Sequence, residues 1–239
     1  NDSYSGFSSA DDDMTISFWF KPDDISSSTV KYIMAFHDDG ELTSDRAIWV
    51  YYKNDDLYIE LFDSNGGNTN ADRRRYVVEE FATTSYYVHL AIAIDRGSIQ
   101  TSPTVWINSV QQTVVDKVAD GYTATGNNNS IGRIAIGDYV GANSHDFEAM
   151  GYISEISIWG TKLVLADVQE IFNNGRWRDL LSHPKAYLLN DWWQLGSTLN
   201  PASNEIPAIV DNISTMVADE DTIYSINDAY TQPATDLTN

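Results

Sequence analysis

Three aromatic residues close together in the chain are the strongest candidates for binding chemistry. Trp49 and Tyr51 are two residues apart, and Tyr58 follows a short polar turn. Residues two apart on a β-strand share a face, and an aromatic ring offers a flat apolar surface on which the C–H face of a sugar can stack. We therefore predict a glycan-binding face formed by these rings, with Asp45 and Asp138 near its rim. The alternative is that the rings fill the core.

Glycoside hydrolysis is the enzymatic chemistry to weigh against simple sugar binding. It requires two carboxylates, about 5 Å apart in a retaining enzyme or about 6.5–9.5 Å apart in an inverting one. Two acids on one strand share a face at a spacing of two or four residues. The segment Gly151–Trp159 contains only Glu155, and Glu60 is likewise single in its segment. The sequence therefore predicts that the protein is not an enzyme.

Other catalytic and metal chemistry finds little support. The chain has no cysteine, which excludes disulfides, thiol catalysis and cysteine-ligated zinc. Its histidines are scattered, without the His-x-x-x-His spacing of a zinc site. We interpret His89, which lies in a strand-like segment, as a core histidine.

The acidic charge balance and the absence of long apolar stretches exclude two classes of function, nucleic-acid binding and membrane insertion. There are 35 Asp and Glu residues against 14 Lys and Arg, a formal net charge of −21. Nucleic-acid binders need the opposite sign, and no stretch approaches the roughly 20 apolar residues of a membrane span. The acids either form a solvating surface suited to high salt or include loop carboxylates that bind Ca²⁺. The one basic cluster, Arg73–Arg75, is interpreted as a solvated loop, or as a contact for a partner's acidic surface.

Strand-like segments dominate the pattern, and one segment is helical. Leu165–Phe172 has apolar residues at helical spacing and is followed by Asn173-Asn174-Gly175, which ends the predicted helix. Short β-branched and aromatic runs between turns predict ten strands: Met14–Phe20, Lys31–Phe36, Ala47–Tyr52, Leu57–Phe62, Tyr87–Ile94, Thr104–Ile107, Gln112–Val115, Ile131–Ile136, Tyr152–Trp159 and Leu188–Leu195.

This pattern predicts an all-β fold: a jelly-roll β-sandwich of two antiparallel sheets with one short helix near 165–173. We assign residues 1–199 to the sandwich. Residues 200–239 are expected to form a polar extension that packs on it or hangs loose. The chain begins at Asn1 without Met, as expected of a processed, trimmed or partial chain.

Ordered motifs from Met14 to Gly175 carry a family resemblance. The three motifs are Met14–Pro22, then Tyr87–Ile94 with Val105–Asn108, and then Ile136–Asp138 with Gly151–Trp159 and Leu163–Ile171. Together they resemble the laminin-G-like and pentraxin-like branch of the concanavalin A-like lectin/glucanase superfamily. A further stretch, Asn190–Gly196 with Ile209–Asn212, resembles a tail of laminin-G-like domains in marine viral structural proteins.

The resemblance implies a calcium site and a lost disulfide. By position, the calcium ligands would be Asp45, Asp138, Asp146 and Glu148. The Asn that follows the first Asp in the family pattern is replaced by Arg46, which has no lone pair to offer a cation. The family's paired cysteines correspond to Ser17 and Ala91, so we expect packing to replace the bridge.

The function predicted from these features is a lectin-like recognition module that binds glycan. It would be extracellular or lie on a virion surface, as part of a virion, a cell surface or a secreted assembly. The alternative is a purely structural decoration subunit that self-associates as a homo-oligomer or binds an assembly scaffold.

Overall fold

The computed structural model describes residues 13–37, 46–64, 69–81, 86–128, 131–137, 151–176 and 178–194. These residues form twelve strands and one α-helix. The helix is α1, Leu165–Phe172. The strands, in chain order, are β1 Met14–Pro22, β2 Lys31–His37, β3 Arg46–Lys53, β4 Asp56–Phe62, β5 Arg73–Val78, β6 Val88–Ile94, β7 Thr104–Ile107, β8 Val110–Gln111, β9 Val115–Asp116, β10 Arg133–Ile136, β11 Gly151–Trp159 and β12 Leu189–Trp193.

The strands assemble into two six-stranded antiparallel sheets. The first sheet has the order β12-β11-β1-β6-β7-β8, and the second has the order β10-β2-β3-β4-β5-β9. This arrangement confirms the predicted all-β sandwich. No helix within the described ranges has the length and apolar character needed to cross a membrane.

The core lies between the sheets and follows from the two-residue period of the strands. Ile16, Phe18 and Phe20 of β1 point inward and are fully buried among the apolar residues of both sheets. The intervening Ser17 and Trp19 point outward from the first sheet, where they contact other groups. Each strand therefore presents one row to the core and one row to an outer face.

A two-residue hairpin turn fixes the register of the strands that matter most for function. Asn54 and Asp55 both have left-handed backbone angles, with φ of 50° and 67°, as a type I′ turn requires. Lys53 is thereby paired with Asp56, Tyr51 with Tyr58, and Trp49 with Glu60. The turn thus brings the predicted aromatic residues of β3 and β4 side by side.

Helix α1 covers the outer face of the first sheet. Its buried residues Val168 and Ile171 pack in one cluster with Ala91 and Trp159 of the sheet. The helix has the predicted bounds, and Asn173 ends it with a left-handed φ of 44°. One detail differs, because Leu165 is exposed although the periodicity placed it on the buried side.

Two stretches differ from the sequence prediction. The strand expected at Gln112–Val115 is wrong: the chain pairs at Val110–Gln111 and at Val115–Asp116, with the residues between outside any strand. Strand β5 begins with Arg73–Arg75, so the solvated loop expected there is also wrong. Residues 200–239 lie outside the described residues, so their role as an extension stays a prediction.

Candidate functional site

The three predicted aromatic residues lie together on the outer face of the second sheet. Tyr51 and Tyr58 are cross-strand partners whose rings stack with centroids 5.0 Å apart and an interplanar angle of 4°. Trp49 shares their face and belongs to the same buried cluster as Tyr51. Tyr58 is half-buried, whereas Trp49 is 6% exposed and Tyr51 is 3% exposed. The sheet therefore brings the three side chains together, but two of the rings are covered.

Guanidinium groups form part of this cover. The Arg46 guanidinium lies 5.0 Å from the centroid of the Trp49 ring, and that of Arg73 lies 6.0 Å from it. Tyr122 lies against Arg75, with the guanidinium 3.9 Å from its ring centroid. Such contacts are attractive because the negative face of the ring meets a cation.

We call this surface the aromatic–arginine face and define it by seven residues: Trp49, Tyr51, Tyr58, Glu60, Arg73, Arg75 and Tyr122.

Glu60 organises the aromatic–arginine face from below. Its side chain is fully buried and accepts hydrogen bonds from Arg73 Nη1 at 2.8 Å, from Arg75 Nε at 2.6 Å and from the Tyr51 hydroxyl at 2.8 Å. A buried carboxylate is costly unless it is paired and hydrogen-bonded. Burial, with the nearby Glu60 charge, raises the pKa of Tyr51 far above its usual value, so its hydroxyl stays a donor.

Each arginine of Arg73–Arg75 forms an ion pair with a carboxylate of another strand, unlike the residues of a solvated loop. Arg73 and Arg75 point to the outer face, where they share the carboxylate of Glu60. Arg74 points to the opposite face of the sheet and forms an ion pair with Asp116 through two of its nitrogens, with Nη2 2.6 Å from Oδ2. These hydrogen bonds raise the pKa of Arg74 above its usual range. Alternation along β5 thus splits one basic run between two faces of the sheet.

The predicted calcium ligands Asp45, Asp138, Asp146 and Glu148 lie outside the described residues. Across the ranges that are described, no three His, Asp or Glu side chains converge in a way that would hold a metal ion. The calcium site therefore stays a prediction. Arg46, the residue that departs from the family pattern, is buried beside Trp49 and Phe62.

A second group of polar residues lies on the outer face of the first sheet, beneath α1. His89 is buried, its Nε2 is 3.2 Å from the Ser17 hydroxyl, and burial lowers its pKa to about 3. Glu155 lines the same small recess and accepts a hydrogen bond from the Trp192 indole at 2.8 Å. The imidazole is therefore neutral near pH 7, and His89 is buried as expected of a structural histidine, although it lies under α1 and not between the two sheets.

Glu155 occupies a β-bulge that sequence reasoning missed. The pairing of β1 with β11 slips between Ser17 and Trp19, and Glu155 has a left-handed φ of 50°. Such a backbone is strained for a residue with a Cβ atom. Glu60 of β4 and Glu155 of β11 lie on the outer faces of different sheets. The core separates the two carboxylates, so they cannot act on one glycosidic bond.

The positions that correspond to the family's cysteines are direct neighbours. Ser17 of β1 is the cross-strand partner of Ala91 of β6. Ser17 also lies 3.1 Å from the hydroxyl of Ser157, which accepts a hydrogen bond from the Trp159 indole at 2.9 Å. Hydrogen bonds as well as packing therefore link the strands at the position of the family's disulfide.

Comparison with known proteins agrees with this architecture. The family model described as the concanavalin A-like lectin/glucanases superfamily, of laminin-G type, matches residues 3–169. The chain belongs to this family. The resemblance inferred from the motifs is thereby confirmed.

Two solved structures are among those similar to this concanavalin A-like domain. One is the binding domain of botulinum neurotoxin serotype G, with 17% identity and a TM-score of 0.49 over 69% of this chain and 36% of that chain. The other is a putative carbohydrate binding protein from Bacteroides ovatus, with 15% identity and a TM-score of 0.49 over 77% of this chain and 46% of that chain. This domain thus spans less than half of each of those chains. No curated protein sequence matches it.

Proposed function

We propose that this domain is a non-catalytic, lectin-like recognition module that binds glycan through the aromatic–arginine face. The observation that carries the proposal is the contrast between the two outer faces. The α-helix present in the described residues covers the first sheet. The outer face of the second sheet instead presents a half-buried Tyr58 beside guanidinium groups.

The burial of each ring defines its role in this proposal. Tyr58 is the aromatic residue of β3 and β4 on this face with the most exposed surface, so its ring is the one that a sugar can contact. Trp49 and Tyr51 are too deeply covered to stack on a sugar, so they support Tyr58 and the arginines from below. Arg75 Nη1 donates to sugar hydroxyls, since the Nε and Nη2 atoms of this guanidinium already bind Glu60.

The arrangement of carboxylates supports a binding role over hydrolysis. A glycosidase needs two acids flanking one bond. Glu60 is buried and fully engaged by Tyr51, Arg73 and Arg75, and Glu155 lies on the far side of the core. A binding module of this kind would work outside cells or on a virion surface, where glycans are presented. Calcium at Asp45, Asp138, Asp146 and Glu148 stays part of the proposal.

A glycan array with matched variants tests the proposal. The wild-type protein is screened with and without added Ca²⁺, beside Tyr58→Phe, Tyr58→Ala and the control Tyr187→Ala, which removes an 81% exposed ring just before β12. We expect binding that survives Tyr58→Phe and Tyr187→Ala but falls about five- to thirtyfold in Tyr58→Ala, because a stacked ring contributes roughly 1–2 kcal/mol.

Two outcomes would overturn the proposal. Equal binding by wild type and Tyr58→Ala would move the ligand site away from the aromatic–arginine face. No binding to any glycan at any Ca²⁺ concentration, with ordered self-assembly seen by electron microscopy, would favour the structural subunit instead.

A further inference from the structure

The aromatic–arginine face carries more positive than negative charge, in a protein whose net charge is −21. Two guanidinium groups, those of Arg73 and Arg75, share the single carboxylate of Glu60. This sharing leaves one guanidinium charge in excess among the seven residues of the face, and the nearby carboxylates of Asp56 and Glu79, which add to burial in raising the pKa of Tyr58, lie outside that set. A ligand group in direct contact with the remaining guanidinium is favoured when it carries a negative charge.

Arg75 holds the donor that this charge makes available. Its Nε and Nη2 atoms both engage Glu60, while its Nη1 makes no hydrogen bond to any described residue and is not buried. The side chain is 22% exposed. Its guanidinium lies 5.7 Å from the centroid of the Tyr58 ring and 3.9 Å from the centroid of the Tyr122 ring.

Arg73 is less suited to contact a ligand directly. Its Nη1 binds Glu60, its Nη2 binds the Asn70 side chain at 2.9 Å, and its Nε is buried. Arg73 therefore serves to neutralise Glu60, and the donor that stays open to a ligand is that of Arg75.

We propose that the ligand is an acidic glycan whose sugar carboxylate binds Arg75 while the sugar ring packs on Tyr58. This inference rests on the proposed glycan-binding function and names the chemical class of the ligand. A carboxylate oxygen that accepts from Arg75 Nη1 forms a charge-assisted hydrogen bond, which is stronger than a hydrogen bond to a neutral sugar hydroxyl. Arg75 is already held in place by Glu60 and Tyr122, so little side-chain entropy is lost when the ligand binds.

A matched pair of ligands and a matched pair of variants test the inference. The ligands are oligosaccharides of galacturonic acid and the same oligosaccharides after reduction of the carboxyl groups, which removes the charge and keeps the ring. The variants are Arg75→Gln and Arg74→Gln. Arg74 is the adjacent arginine on the opposite face, paired with Asp116, so it controls for the loss of one positive charge from β5.

Binding is measured by isothermal titration calorimetry, with circular dichroism to confirm that each variant is folded. We expect wild type and Arg74→Gln to bind the acidic form about ten- to a hundredfold more tightly than the reduced form, as one charge-assisted hydrogen bond allows. Arg75→Gln should bind both forms equally. Arg75→Lys, which keeps the charge without the planar fork, should retain part of the preference.

The outcomes separate the inference from the proposal on which it rests. Equal binding of both forms by wild type, or loss of preference in Arg74→Gln, overturns the acidic-ligand inference and leaves glycan binding intact. Equally tight binding of sulfated oligosaccharides of neutral sugars contradicts the assignment to a carboxylate. Absence of binding to both forms and to every glycan on the array overturns the proposed function itself.

Discussion

Replacing Glu60 with Gln tests whether the buried carboxylate holds the aromatic–arginine face together. The change keeps the shape of the side chain but removes the charge that binds Arg73 and Arg75. Removing one partner of a fully buried ion pair costs about 3–5 kcal/mol. Here the two arginine side chains are 15% and 22% exposed, and the Gln oxygen can still accept one hydrogen bond. We therefore expect a loss of about 2–4 kcal/mol in the free energy of unfolding.

Guanidinium chloride denaturation at neutral pH measures this loss. With a denaturant slope of about 4 kcal/mol/M, the midpoint should fall by about 0.5–1 M. The matched control is Asp116→Asn, which removes the charge of a carboxylate that pairs with Arg74 and is 25% exposed, where that of Glu60 is 1% exposed. Because this carboxylate keeps contact with water, its pair should contribute less, about 1 kcal/mol. A midpoint for Glu60→Gln no lower than that of Asp116→Asn would show that the buried network contributes no more stability than the pair with the more exposed carboxylate.

Three further predictions concern the first sheet. Burial lowers the pKa of His89 to about 3, so the unfolded chain binds a proton that the folded chain does not as the pH falls below 6.5. Between pH 6.5 and pH 5, wild type should lose about 1.5 kcal/mol more stability than His89→Gln; equal pH slopes would contradict the shift. Glu155 has a left-handed backbone, so Glu155→Gly should be more stable than Glu155→Ala by about 1 kcal/mol and unfold at a higher temperature. A lower unfolding temperature for Glu155→Gly, the normal order in a strand, would exclude strain at this position. Ser17 and Ala91 are cross-strand partners, so the double cysteine variant should form a disulfide, seen as loss of free thiol, that stabilises by about 2–4 kcal/mol relative to its reduced form; two free thiols under oxidising conditions would show that their geometry forbids the bridge.

The sequence predicted the parts of the fold that depend on local pattern. Alternation in Met14–Phe20 and the apolar spacing in Leu165–Phe172 gave the position of β1 and the bounds of α1, because each segment buries one face against the sandwich. The turn residues at Asn54 and Asp55 likewise adopt the left-handed angles that their types favour.

The sequence could not predict the parts that depend on distant partners. Arg73–Arg75 has the composition of a solvated loop, and it becomes strand because Glu60 and Asp116 neutralise alternate side chains from other strands. The one available signal was the isolated Glu60 in an otherwise apolar strand, since a single buried acid requires a cation.

The same limit applied to the candidate site. Sequence spacing placed Trp49, Tyr51 and Tyr58 on one face of the sheet, and the register agrees. Their different exposures depend on where Arg46, Arg73 and other groups pack over the rings. The local periodicity of apolar residues in the sequence indicates neither such contacts between strands nor the bulge at Glu155.

Oxidative footprinting with a bound glycan tests directly whether the ligand lies on Tyr58. Hydroxyl radicals modify exposed tyrosines, and the degree of modification is read residue by residue by mass spectrometry, with the tightest ligand from the array and without it. The proposal predicts that the ligand protects Tyr58 and leaves Tyr187, in the turn before β12, unchanged. Protection of Tyr187 with unchanged modification of Tyr58 would contradict it and place recognition beside the first sheet.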